Sequence, residues 1–450
     1  MTKRQRLVFW TILAVALGLR LWMIFAVGDK LMTVYDDKMY VQSAKRLLET
    51  GIFTFGSHLD KPTVFIPPLF PLYLTGLFAI FGSGEMGLQI ARITIALMGV
   101  GTLALVVRLG GMMFRHQPGG GVGEGVPIDD AQASLPNSPL GAEGAGVVAG
   151  ISRTGTNVGL ISAALLAIYP PYILLNSTLL TETMFTLFAL WFFIRLLRAV
   201  ESQQWRDFVI AGLVLGLATY ARPTIALLPI AVGVYLWFRR DYGFKKAFLV
   251  GTVLVAMLFA VLSPWIVRNY VDFHRFIPLT KASGNPFLTG TYLNHDVWAN
   301  GPDAEFPDYP KGWKKVPGDQ LATDDLLMSI GKEHLKSEFQ RDPWTMVKWY
   351  TYGKFKAYWD GTFDWADLLR PWKETLQNVH RVLLALSLIG LLWAVWWREA
   401  YVWMMVLWFG YFTALHMVYV TSPRYSTPLL PFVFLYLGYV FVRIVARRHP

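Results

Sequence analysis

Asp36 and Asp37 stand side by side in Tyr35-Asp36-Asp37-Lys38-Met39-Tyr40, directly after the first long apolar run of a 450-residue chain. Adjacent carboxylates can cap a helix by accepting backbone N–H bonds, or they can act on a ligand. The doublet alone does not separate the two. Tyr40, Ala44, Leu47 and Leu48 follow at helical spacing, with Lys38, Lys45, Arg46 and Glu49 between them. The doublet is therefore predicted to open an amphipathic helix that lies on a membrane surface rather than crossing it. Other ionisable groups sit within apolar sequence. Arg222 and Arg424 each adjoin a proline, Pro223 and Pro423, marking a break at membrane depth, where an ionisable side chain is a functional candidate. Lys61, Arg268 and Arg20 are further cations. For Arg20 and Arg268, near their helix ends, the competing reading is a side chain snorkelling to the headgroups. Glu182, between two apolar runs, either serves a site or simply starts a helix in the headgroup zone. His58, His274, His295 and His416 show no two-ligand helical spacing, so a dedicated metal site has no support. Only a carboxylate-bound Mg²⁺ or Mn²⁺ stays open.

The elements that must position these groups are membrane spans. The chain is 54% hydrophobic and 16% charged, where soluble domains carry about 25% charged residues. An all-α polytopic membrane protein follows. The net charge of +11 does not mark a nucleic-acid binder, because the basic residues gather at the ends of apolar segments. Lys3-Arg4-Gln5-Arg6, Arg239-Arg240, Lys245-Lys246 and Arg447-Arg448 are such ends, the pattern of the positive-inside rule. Cysteine is absent, which excludes disulfides, thiolate metal sites and a cysteine nucleophile.

Leu7 to Val27 reads as an uncleaved anchor with a cytoplasmic N-terminus, since it is longer than a signal-peptide core. Residues 28–68 form an outer loop that holds the acidic doublet and closes on Pro67-Pro68. Apolar segments follow at 69–82, 88–107, 158–175, 179–197, 208–221, 223–238 and 247–267, and again at 379–397, 401–420 and 426–446. They make roughly ten or eleven spans. Strict alternation from an inside N-terminus conflicts by one crossing with placing Arg198, Arg206, Arg239 to Lys246 and Arg447-Arg448 in the cytoplasm. One short segment, 69–82 or a member of the pair broken at Arg222-Pro223, is therefore expected not to span. Residues 115–157, rich in Gly, Pro, Ser and Asn, are expected to be a disordered insertion. Gly119 to Gly123 is no phosphate loop, because no strand precedes it and no Gly-Lys-Ser/Thr closes it. Residues 269–376, aromatic-rich, are expected to form an ordered outer loop domain with helices at Asp324–Phe339 and Pro343–Tyr358. An N-terminal membrane module (1–268), this outer domain and C-terminal membrane helices (377–450) complete the division.

With these parts in order, the chain resembles a polytopic glycosyltransferase of the GT-C fold. The resemblance is to glycosyltransferase family 39, the protein O-mannosyltransferases and lipid A aminoarabinose transferases. It is carried by Asp36-Asp37-Lys38-Met39-Tyr40, Pro67-Pro68-Leu69-Phe70-Pro71-Leu72, Gln89-Ile90-Ala91-Arg92, Tyr169-Pro170-Pro171, Leu180-Thr181-Glu182, Leu217 to Pro223, Ser263-Pro264-Trp265 and Pro423-Arg424-Tyr425. The chain departs from the family where it has Asp-Asp in place of the commoner Asp-Glu. Phe65-Ile66 stands where aminoarabinose transferases have a charged pair, which argues against that substrate. No sequon-recognition signature of the oligosaccharyltransferases is present, and the 115–157 insertion is foreign to the pattern.

The resemblance implies inverting transfer of one sugar from a polyprenyl-phosphate carrier to an acceptor hydroxyl, on the outer face of the plasma membrane. It aligns Asp36 with the catalytic base and Asp37 with the second acidic residue. Arg222, Arg424, Lys61 and Arg268 become the cations available for the donor phosphate, and Tyr40, Glu182 and Tyr425 fall to the acceptor or to supporting positions. No cofactor is implied as required. Two other readings compete. A transporter would show internal repeats and midplane charges. A lipid-linked polymer ligase or polymerase would place arginines and a histidine in the late outer loop and give Asp36 no role.

Overall fold

The computed structural model describes residues 1–31, 35–55, 61–114, 153–239, 241–294, 319–362 and 368–448. Among these the chain is helical throughout, as the apolar periodicity requires. The first helix, α1 (Lys3–Val27), starts at a capping box: Thr2 Oγ1 accepts from Gln5 N at 3.1 Å and Gln5 returns a bond to Thr2 N at 2.9 Å. Then come α2 (Tyr35–Thr50), α3 (Leu69–Phe81), α4 (Glu85–Met113), α5 (Arg153–Ile168), α6 (Pro170–Leu175), α7 (Thr181–Ser202), α8 (Trp205–Ala221), α9 (Leu228–Trp237) and α10 (Gly243–Phe273). Next come α11 (Gly284–Thr291), α12 (Gln320–Arg341), α13 (Pro343–Lys348) and α14 (Lys354–Trp359), followed by α15 (Lys373–Trp396), α16 (Val402–Val418), the short α17 (Pro423–Ser426) and α18 (Leu430–Arg448). Six stretches are long and apolar enough to cross a membrane, and four shorter helices are apolar.

Side-chain contacts sort the helix ends into two sets. At one end Gln5 joins Asn157 (2.9 Å), Tyr401 donates to Glu201 (2.7 Å), Tyr242 donates to Val200 O (3.2 Å) and Arg443 pairs with Glu399 (3.0 Å). Lys3, Arg4, Arg6, Arg239, Lys245 and Lys246 lie at this end. The opposite, loop end gathers α2, Tyr169 on His380 (2.8 Å), and Arg268 on Thr63 O (2.8 Å). The sorting resolves the expected conflict. Phe114, closing α4, stacks on Tyr439 at 4.8 Å near the basic end, while α4 begins beside Tyr73 of α3 at the loop end. Both termini of α3 therefore lie at the loop end, and α3 packs on α2. Taken in order, α1, α4, α5, α7, α8, α9, α10, α15, α16 and α18 then run alternately between the two ends. Both chain ends come out at the basic end.

Three sequence boundaries move. The expected insertion at 115–157 is shortened from its far side: Arg153 already starts α5, because Val158, Ala163 and Leu166 on its apolar face pack into the bundle. Residues 115–152 lie outside the described residues. The long loop expected from 269 begins at 274, since α10 runs through Pro264 to Phe273 and stops at His274, in the left-handed region at φ 51°. It ends at 372, where α15 starts. The expected helices within it appear as α12 and as α13 to α14, the latter pair joined by one π turn at Trp349–Gly353.

α7 and α18 are the most enclosed spans. Close crossings set the packing around them: a Cβ on Gly110 of α4 would fall 2.8 Å from Gly159 Cα of α5, so the two backbones touch. The surface helix buries Tyr40, Val41 and Ala44 as its periodicity requires, whereas Leu48 remains exposed.

Candidate functional site

Four segments distant in sequence bring charged groups to one spot at the loop end. The N-terminal turn of α2 supplies Asp36. The second residue of α7 is Glu182. Arg222 sits where α8 stops, in extended conformation (φ −149°, ψ 124°), because Pro223 disfavours helix at the residue before it. Arg424 follows Pro423 in α17, whose start is capped by Ser422.

The Arg424 fork reaches two carboxylates. Its Nη1 is 2.7 Å from Asp36 Oδ2, and its Nε donates to Glu182 Oε1. Arg222 Nη1 lies 2.7 Å from the same Glu182 oxygen. The Arg222 guanidinium also faces the Tyr425 ring, 5.4 Å from its centroid. Two carboxylates thus balance two guanidiniums. Exposure divides their roles. The Glu182 side chain is 0% exposed and the Arg424 side chain 11%, whereas that of Asp36 is 43% exposed. Glu182 is a fixed counter-charge that holds both arginines in place. Asp36 is the carboxylate that an incoming molecule can meet. Asp37, one residue on, is fully buried.

Tyr40, one turn along α2, is buried beside the cluster. Burial pushes its phenol above the ordinary value; Asp36 and Glu182 add to the rise and the two arginines oppose it, so the hydroxyl stays protonated and able to donate. Tyr425 is wedged against His416 (5.5 Å between rings), and its backbone oxygen accepts from Tyr358 at 3.2 Å. Tyr358 and His416 are supports with no readable pattern in the sequence.

The remaining sequence candidates lie elsewhere. Arg268 pairs with Asp272 (2.8 Å), one helical turn on, and donates to Thr63 O. Lys61 stands exposed at the start of the loop that Arg268 holds. Arg20 does not snorkel: it is 0% exposed, donating to Ala16 O at 2.9 Å with Tyr172 beside it, so it binds α1 to α5 and α6 inside the bundle. No group of three or more His, Asp and Glu is placed to hold a metal ion among the described residues.

The segment between α10 and α15 abuts the cluster through α14. Lys354, fully buried, donates from Nζ to Met417 O (2.8 Å) and Tyr419 O (3.1 Å), closing the carbonyl end of α16. Burial lowers this amine to about 7 from its ordinary 10.5. The folded state therefore binds this proton less well than the unfolded one. The amine's contribution to stability is full above about pH 10.5 and is lost as the pH falls through about 7. The thermal midpoint is expected to drop between about pH 9 and pH 6.5, and Lys354→Met is expected to flatten that slope. An unchanged slope in the variant would assign it to another group.

Comparison with known proteins bears on this geometry. Residues 145–267 match the family model described as dolichyl-phosphate-mannose-protein mannosyltransferase. No curated protein matches the chain. Two crystal structures of an Archaeoglobus fulgidus oligosaccharyltransferase are similar in fold at 12% identity. One, a complex with zinc and sulfate, superposes with a TM-score of 0.52 over 97% of this chain. The other, tethered to an acceptor peptide containing the NVT sequon, gives 0.51 over 98%. This chain spans about half the length of that enzyme, 50% in each case. The fold is GT-C, and the chain resembles the glycosyltransferases of family 39, as its motifs imply.

Proposed function

We propose that the chain is a multi-pass membrane glycosyltransferase that moves a sugar from a polyprenyl-phosphate carrier to an acceptor hydroxyl with inversion. The observation that carries the reading is the meeting of Asp36, Arg424, Glu182 and Arg222 where four helix ends converge. Arg222 and Arg424 face the donor phosphate, and charge stabilisation of the leaving group in a dry site is usually the largest catalytic term. The acceptor oxygen attacks the anomeric carbon, the bond from that carbon to the phosphate oxygen breaks, and the hydroxyl proton passes to Asp36. Tyr40 and Tyr425 flank the reacting groups.

The resting ion pair adds control. While Arg424 holds Asp36, the carboxylate oxygen that would take the proton is engaged. A donor phosphate that takes up Arg424 releases it, so the base is freed only when a donor is in place. The positive-inside rule puts the basic end in the cytoplasm. The loop end, with Asp36, then faces the outside of the plasma membrane.

Radiolabelled polyprenyl-phosphate-sugar binding to purified variants tests the assignment. A charge-assisted contact of this kind is worth on the order of 1.5–3 kcal/mol, so Arg222→Ala should weaken donor binding at least tenfold. Arg222→Lys should recover part of the loss, because a point charge replaces a planar fork. Unchanged binding in both Arg222→Ala and Arg424→Ala would remove the pair from the donor site. Transport of a soluble solute by protein that binds no lipid-linked sugar would replace the enzyme reading with a carrier.

A further inference from the structure

Beside the ion-pair cluster, a cavity of about 630 Å³ opens between the outer domain and the loop end. The volume lies within the ~300–1,000 Å³ usual for ligand sites. Thr421 and Pro423 form one wall, and Pro423 precedes Arg424, which holds Asp36 at 2.7 Å. The opposite wall is the α13–α14 helix, where Lys348, Tyr352 and Lys356 recur every four residues and all line the space. The helix is widened here by its π turn, a feature common at functional sites. Gly353 permits it: a Cβ there would meet the Trp349 ring at 2.3 Å.

Among the described residues that line this cavity, lysines outnumber carboxylates. Among the described lining residues the one carboxylate is Asp360, which the Arg381 fork grips, with Arg381 Nη2 2.8 Å from Asp360 Oδ2, and which also feels the Lys356 charge. Lys348 and Lys356 are exposed, and neither lysine is neutralised by an ion pair among the described residues. Between them the Tyr352 ring, 62% exposed, offers an apolar face for the C–H side of a sugar ring.

We propose that this cavity seats the acceptor, and that the acceptor is an anionic saccharide whose carboxylate or phosphate rests on Lys348 and Lys356. The assignment of the bound molecule as acceptor rests on the glycosyltransferase reading. The preference for an anionic sugar does not. Pro423, on the wall facing Tyr352, is the residue that precedes Arg424 of the ion-pair cluster. Neither lysine belongs to the cluster that faces the donor phosphate.

Titration calorimetry on the purified full chain tests it with methyl glucuronide, glucose 6-phosphate and the neutral methyl glucoside as probes. The anionic sugars are expected to bind about fivefold more tightly than the glucoside at low salt. The advantage should vanish in Lys348→Gln/Lys356→Gln and shrink at about 0.5 M salt. Donor-lipid binding by that double variant should match the wild type, which separates this site from the donor site. Displaying the glucuronide on a lipid anchor in nanodiscs, against the free sugar, distinguishes a membrane headgroup from a soluble glycan. Tighter binding in either form supports the proposal. Equal affinity for neutral and anionic sugars, or a preference that survives the double substitution, would overturn it. Failure of the wild type to bind donor lipid would instead strike the proposed reaction and leave the saccharide preference intact.

Discussion

Asp36→Asn should lower sugar transfer by about 10²–10⁴-fold, the range a positioned general base supplies, while the protein folds and binds donor as before. Asn keeps the shape of the side chain and its place in the first turn of α2 but cannot take the acceptor proton. The Asp36 side chain is 43% exposed and Glu182 still pairs with Arg424, so losing the Asp36 charge should cost less stability than losing the buried Glu182 charge. Donor affinity should hold or rise, since Arg424 no longer has Asp36 to neutralise it. Asp37→Asn should behave differently. That carboxylate is fully buried, and its loss should appear first as lower stability rather than as slow chemistry in folded protein. Activity retained in Asp36→Asn and lost in stable Asp37→Asn would move the base one residue along.

The second large effect belongs to Glu182. It is fully buried and is the counter-charge shared by Arg222 and Arg424. Breaking a buried ion pair by removing one partner costs about 3–5 kcal/mol, because the charge left behind is uncompensated. Glu182→Gln is therefore expected to destabilise the protein by about that amount in reversible unfolding. Donor lipid should restore much of it, as its phosphate supplies the missing negative charge and a ligand stabilises the state that binds it. The diagnostic reading is a thermal shift on adding polyprenyl phosphate that is larger in Glu182→Gln than in the wild type. A variant as stable as the wild type, with no larger shift, would contradict the role of Glu182 as a shared counter-charge.

Local features of the site were legible in the sequence because they are local. Helical periodicity after Asp36 gave α2 and its buried face, and Pro223 marked the stop that leaves Arg222 extended. The partnerships were not legible. Asp36 and Arg424 are 388 residues apart, and Arg424 and Glu182 are 242 apart. Periodicity reports which face of a helix is apolar and says nothing about which helix ends meet. Lys61 and Arg268 have the right sign and the right end of the bundle, which is all that composition can supply. Asp272, one turn after Arg268, was the available warning, since an i,i+4 carboxylate is a ready partner. Arg20 misled for a related reason: nearness to a helix end suggests snorkelling, but α5 and α6 close over it. The crossing conflict likewise needed the structure, because only contacts at both ends of α4 reveal that α3 turns back.

The central claim is that the donor phosphate binds Arg222 and Arg424 and thereby frees Asp36. A structure of the protein with polyprenyl phosphate bound in nanodiscs measures this directly. The expected result places phosphate oxygens within hydrogen-bonding distance of both guanidiniums, with Glu182 still holding them and Asp36 turned away from Arg424. A phosphate lodged elsewhere, with the 2.7 Å pair between Asp36 and Arg424 intact, would contradict it.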